Sequence, residues 1–334
     1  MTKTQTRRRA LAMLSLAGAS FACAPAVWAG EEKLETTSVR LKKSVSVCVA
    51  PESVAERFLR AEGFTDVRYV LLPNTEPTDA IAHGAIDFGM NYASVMITGV
   101  DRGLPVTMLA GVQVGCFELF VHDETRGIAG LKGKSVGVRW LGSPEHMFLS
   151  MIAANVGINP RTEINWTAAG KIGPKQAFIE GRIDAFLGVA PVPQELRAKH
   201  IGRVVVNSMM DRPWSQYFCC MLGVNNDYFR EHPVATKRVV RAILKAADLC
   251  ASDPAGVART LIDGGFTKTR PEYVLQALRE IPFDRWREYD AEDTVRFYAL
   301  RLHDLGFVQS VPQQIIAKGT DWRFLNELKR ELKA

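Results

Sequence analysis

The chain has 334 residues, room for two domains of ordinary size, and its 47% hydrophobic and 23% charged residues are the composition of a folded globular protein. Disorder and collagen-like repeats are excluded. The formal charge of +6 suggests nucleic acid only until its distribution is read: residues 1–29 hold four basic residues and no acid, and without them 38 basic residues face 36 acidic ones, a net +2. No nucleic-acid partner is expected.

The first element is an export segment. Arg7, Arg8 and Arg9 supply a positive start, residues 10–26 an apolar, small-residue stretch, and Val27-Trp28-Ala29 a small-residue cleavage site before Gly30. Thr6-Arg7-Arg8 also resembles a twin-arginine signal, with Ala10 where an aromatic residue is usual, so the export route stays open. The apolar stretch is shorter than the ~20 residues a bilayer span needs. Cys23 lacks the leucine expected before a lipid-modified cysteine. After cleavage Cys48, Cys116, Cys219, Cys220 and Cys250 remain. Their odd number and irregular spacing suit neither a disulfide scaffold nor a zinc site, although one disulfide between an unspecified pair is compatible with export.

Beyond the signal the chain repeats itself. Lys43-Ser44-Val45-Ser46-Val47-Cys48-Val49 matches Lys134-Ser135-Val136-Gly137-Val138-Arg139-Trp140, each read as a strand followed by a helical pattern. Residues 54–61 and 147–154 read as helices, and 67–71 and 164–166 as second strands. Ala80-Ile81-Ala82-His83-Gly84-Ala85-Ile86-Asp87 then matches Ala177-Phe178-Ile179-Glu180-Gly181-Arg182-Ile183-Asp184: a helix stopped by glycine, then a third strand. Strand-helix alternation implies parallel sheets, and two copies imply two α/β lobes. Ligands of such sheets bind beyond the carboxyl ends of the strands, so two facing lobes would enclose one cleft. Extended stretches at 115–122 and 217–224 lead from one unit to the other and back. From residue 225 only helical patterns follow, with starts at Asp253-Pro254, Arg270-Pro271, Asp290 and Asp321, and stops at Gly264, Gly265, Gly306 and Gly319. They are read as covering the first lobe.

The Gly-x-Ile-Asp-Phe-Gly run at 84–89, Leu131-Lys132-Gly133-Lys134-Ser135-Val136-Gly137-Val138, and Gly181-Arg182-Ile183-Asp184-Ala185 followed by Pro191 resemble periplasmic substrate-binding proteins of ABC importers. The resemblance is to the nitrate, sulfonate and taurine type, which includes proteins like those that bind thiamine-pyrimidine precursors, and it covers roughly residues 40–235. It implies a type II, Venus-flytrap fold of two lobes, each a mostly parallel sheet flanked by helices. Lobe I is expected from 40–117 and 225–334, lobe II from 123–216, and the hinge crossovers from 118–122 and 217–224. The implied function is capture of a small organic or oxyanion solute by a periplasmic monomer, delivery to an inner-membrane ABC permease, and no enzymatic chemistry, metal or cofactor.

Carried over position by position, the resemblance puts ligand contacts in four loops. Cys48, Pro51 and Glu52 follow the first strand; Asn91, Tyr92 and Ser94 follow the first Gly-x-Ile-Asp strand. In the second unit Arg139 pairs with an anionic solute, Ser143 before Pro144 caps a helix whose free N–H groups suit an anion, and Glu145 either caps that helix or accepts a cationic or amine group. Ligand charge stays open. His146 and Pro191 complete that side, and Glu118, Trp214 and Tyr217 flank the crossovers, the two aromatics either stacking on the solute or packing the hinge. Two alternatives stand beside transport: an enzyme on the same fold, desulfinase-like, with Cys48 as nucleophile, and an exported ligand sensor.

Overall fold

The computed structural model describes residues 32–73 and 75–332. The export segment and Cys23 lie outside the described residues. Among the described residues ten strands form two five-stranded sheets. In chain order they are β1 (Ser38–Lys42), β2 (Asp66–Val70), β3 (Phe88–Tyr92), β4 (Val106–Val114), β5 (Phe117–Val121), β6 (Ser135–Val138), β7 (Asn165–Ala168), β8 (Ala185–Val189), β9 (Arg203–Asn207) and β10 (Phe218–Asn225). The first sheet runs β2-β1-β3-β10-β4 and the second β7-β6-β8-β5-β9. Within each, one strand runs against the rest: β10 is antiparallel to β3 and β4, and β5 to β8 and β9. These are the strands on which the chain enters the second sheet and returns to the first.

The two sheets are built alike because the sequence repeats, and the repeat carries a specific bond. Asp87 and Asp184, the aspartates of the two Gly-x-Ile-Asp runs, each accept a backbone N–H from the first strand of their unit, Arg40 and Ser135, both at 2.7 Å. Each carboxylate thereby ties the third strand to the first, a bond that a partly buried position makes worth keeping. Gly84 and Gly181, with φ of +66° and +69°, end the preceding helices in the left-handed region that glycine enters freely.

The sequence reading does not place β4 and β9, and it misplaces the first strand. The first strand is Ser38–Lys42, not 43–49, because only there do buried Val39 and Leu41 alternate with outward-facing residues. Residues 43–46 are loop, and Val47–Val49 is a short 3-10 turn whose cap Ser46 accepts the Cys48 N–H. Leu41 pairs with Phe88 as Val136 pairs with Ala185, so the structural counterpart of Arg139 in the first unit is Ser44 and not Cys48.

Helices cover the sheets as the composition demands. Asp253 and Asp290 cap Pro254–Asp263 and Ala291–Asp304, accepting the N–H groups of Gly256 and Asp293. The longest helix, Pro233–Ser252, buries Val239, Val240, Ile243, Leu244, Ala246 and Ala247 on one face and packs on β4 and the helices Ala50–Ser53 and Glu56–Ala61. The tail therefore closes over the first sheet.

Candidate functional site

The carboxyl ends of β1, β2, β3 and β6 open into one cleft of about 610 Å³. From the first lobe it is lined by Lys42 and the loop that follows, Leu71–Pro73, Thr75–Pro77, Met90–Tyr92, Cys48 and Cys220; from the second it is lined by Arg139 and Trp140. This is the position at which open α/β sheets take ligands, since the loops there are free to vary while the strands hold them.

Asn91, next to last in β3, has its side chain fully engaged. Its amide donates to Glu76 at 3.0 Å and Thr78 at 2.9 Å, while its oxygen accepts the Tyr92 N–H. Asn91 thus fixes the Glu76 carboxylate at the rim. Tyr92 stacks on Phe117 with ring centroids 5.0 Å apart, and Phe117 on Phe148 at 4.9 Å, so one face of the cleft rests on an aromatic column running into the second lobe. Burial pushes the Tyr92 phenol well up, so it is a neutral hydroxyl. Lys42 donates to the carbonyl of Thr75, and burial lowers its pKa.

On the opposite side Arg139 pairs with Glu145 at 2.8 Å and lies over the Trp140 ring, 4.6 Å from its centroid. Trp140 is 44% exposed, unusual for so large an apolar side chain. Glu145 is buried, and its second oxygen, Oε2, has no hydrogen-bond partner. An unsatisfied buried carboxylate oxygen beside a cleft is an acceptor waiting for a donor.

Four of the expected contacts line this cleft: Cys48, Asn91, Tyr92 and Arg139. Glu145 stands directly behind Arg139. Ser143 serves as a cap, accepting the His146 N–H. Pro51 and Glu52 are buried in Ala50–Ser53; the Glu52 carboxylate accepts the N–H groups of Lys42 and Met90, and burial, against those two bonds, pushes its pKa up to about 8. It fastens β1 to β3 from beneath. Ser94 is buried in Ala93–Asp101, and Pro191 precedes the helix Val192–Ala198. His146 faces a separate cavity of about 250 Å³, edge-on to Trp166 and Phe307. Trp214 packs edge-on against Phe148 and Phe297, and Tyr217 stacks on Phe297 at 3.6 Å. Glu118 is fully buried on β5 opposite Arg197, 3.4 Å away, and burial raises its pKa to about 7.

Sequence reasoning passed over Lys42, Glu76 and Trp140. Trp140 carried a signal, a tryptophan in the loop after a strand where the first copy has a valine. Glu76 carried none, because its place depends on Asn91.

Behind the cleft floor lies a cluster of thiols. Cys116, between β4 and β5, and Cys219, on β10, have sulfurs 3.0 Å apart, and Cys220 completes a group within 4.8 Å. The Gln113 amide, oriented to donate to the carbonyls of Val114 and Gly115, turns its oxygen toward Cys220. Burial pushes the Cys116 and Cys219 thiols well up. Beside them Ser208 Oγ accepts the N–H groups of Cys116 and Phe117, at 3.1 and 2.9 Å.

Comparison with known proteins agrees with this architecture. The fold matches the periplasmic nitrate-binding protein NrtA from Synechocystis with a TM-score of 0.73, at 15% identity over 90% of each chain. It matches the alkanesulfonate-binding protein SsuA from Xanthomonas axonopodis with a TM-score of 0.68, at 18% identity over 87% of this chain and all of that one. The expected two-lobe periplasmic binding fold is therefore present. No helix among the described residues is long and apolar enough to cross a membrane. In sequence the chain is 27% identical over 213 residues to 4-amino-5-hydroxymethyl-2-methylpyrimidine phosphate synthase THI12 of Saccharomyces cerevisiae, covering 58% of this chain. The chain spans about three fifths of the length of such curated relatives, 61% in this case. The expectation of a protein without enzymatic chemistry is corrected by that name: curated relatives at 26–27% identity are synthases, and a binding fold does not by itself exclude catalysis. The sequence model of the NMT1-like family matches residues 23–262, more than two thirds of the length, and the chain belongs to the NMT1-like family.

Proposed function

We propose that this chain is an exported binding protein whose cleft captures a small, flat nitrogen heterocycle bearing an amine, of the pyrimidine class, and presents it to an ABC import permease. The observation that carries this reading is an exposed ring, Trp140, on the wall facing Glu76 and Tyr92, beside an arginine, Arg139, that is already paired with the buried Glu145 behind it. A flat ring gains by stacking on Trp140, and an exocyclic amine supplies a donor for the Glu76 carboxylate that lines the opposite wall. A bare oxyanion fits less well, because the one arginine on that wall is already neutralised by Glu145. The pyrimidine named for the curated relatives supports the same class.

Capture is differential: the solute touches both walls only when the lobes close, so its binding energy shifts the open-closed equilibrium. Titration calorimetry with aminopyrimidines, alkanesulfonates and nitrate tests the reading. Aminopyrimidines are expected to bind, and Trp140→Ala to weaken them about fivefold, the worth of one aromatic contact of about 1 kcal/mol. Tight binding of nitrate or a sulfonate with none of an aminopyrimidine would sink it.

A second reading, chemistry on the captured ring, is favoured by the synthase name of the curated relatives. Cys48 on the cleft wall is its nucleophile candidate. Mass spectrometry of a bound heterocycle after incubation decides it: a product lost in Cys48→Ser supports the reading, and an unaltered ring counts against it.

A further inference from the structure

We infer that Cys116 and Cys219 form a disulfide that clasps together the two strands by which the chain passes between the lobes. Cys116 sits directly before β5, the outgoing strand, and Cys219 is the second residue of β10, the returning one. Their sulfurs are 3.0 Å apart, closer than a non-bonded sulfur contact and about 1 Å from the bonded distance. Two sulfurs on one zinc stand about 3.8 Å apart, given zinc–sulfur bonds of ~2.3 Å in a tetrahedron, so the spacing suits a bond between these two better than a shared metal. Cys220 is the wrong partner for Cys219: neighbouring Cα atoms are ~3.8 Å apart, below the usual disulfide range of ~4.4–6.8 Å. Its thiol is also taken up by the Gln113 oxygen. The bond closes a loop that contains the whole second sheet.

In the reaction two S–H bonds break and one S–S bond forms, and the two protons and two electrons pass to oxidised glutathione, which leaves as two thiols. Both sulfurs are buried, so the exchange proceeds during folding or on opening of the crossover region. The clasp holds the outgoing and returning strands at one separation. Its effect on closure rests on the flytrap reading above; the bond itself does not.

The test is to refold the full chain and, separately, to incubate it folded, each with oxidised glutathione, then alkylate it in denaturant and map its peptides without reduction. The expected result is a loss of 2 Da and a cross-link that disappears in Cys116→Ser and in Cys219→Ser but survives in Cys220→Ser and Cys250→Ser. The oxidised chain is expected to melt several degrees above the reduced one. Alkylation of every cysteine in both arms, a cross-link through Cys48 or Cys220, or stoichiometric zinc or copper lost in Cys116→Ser would each overturn the proposal. If the cross-link forms but solute affinity is equal in the oxidised and reduced chains, the bond stands and the crossovers are not the hinge.

Discussion

Glu118 shows what a single buried carboxyl does to the molecule. It is 1% exposed, and neither of its oxygens has a hydrogen-bond partner, though Arg197 lies 3.4 Å away. Burial lifts its pKa from 4.5 to about 7, Arg197 opposing the rise. A carboxyl whose folded pKa exceeds its unfolded one holds its proton more tightly when folded. The stabilisation is full below pH 4.5 and is lost as pH rises through about 7. Urea unfolding is therefore expected to show stability falling between pH 5 and pH 8, and Glu118→Gln is expected to remove a share of that fall of order 3 kcal/mol. A slope unchanged in Glu118→Gln would show that the carboxyl is ionised throughout. Glu52, with its pKa near 8, extends the same trend upward, so some slope persists in the variant.

Among the elements, the outgoing crossover is the most tightly specified. Gly115 has φ of +59°, and a Cβ there would lie 2.6 Å from the backbone of Ser208 and Met209. Gly115→Ala is expected to cost more than about 2 kcal/mol, since neither the dihedral nor the neighbouring backbone gives way. Ser208→Ala removes the acceptor of two buried N–H groups and is expected to cost about 2 kcal/mol. Denaturant midpoints measure both; losses under 0.5 kcal/mol would mean that the crossover relaxes freely. None of this was legible in the sequence, because Ser208 lies some ninety residues from the groups it serves. The glycine-stopped helices and the paired aspartates were legible, since those signals are local. The first strand was misread because matching Lys43-Ser44-Val45 to Lys134-Ser135-Val136 weighs identity, whereas the sheet selects alternating burial, and Val39 and Leu41 supply it. Cys48, Asn91, Tyr92 and Arg139 were reachable through the family resemblance, which carried them over position by position. The orphaned oxygen of Glu145 was not, since it depends on which partners a fold withholds.

For the whole molecule, the cleft between two similar sheets makes a prediction that no single residue makes. A solute bridging Trp140 and Glu76 is bound fully only in a closed form, so saturation is expected to lower the radius of gyration in small-angle scattering. A profile unchanged at saturating aminopyrimidine would mean that the cleft is rigid and that selection of a closed state plays no part.

The strand order has a consequence for how the chain is made. All five strands of the second sheet come from one uninterrupted stretch, from β5 through β9, whereas the first sheet needs β10, which is inserted between β3 and β4. As the polypeptide leaves the ribosome, the later half can complete itself while the earlier half still lacks the strand that joins β3 to β4. Until residue 225 has emerged, the edges of β3 and β4 stand open, and it is there that a chaperone would do most good and a neighbouring nascent copy most harm.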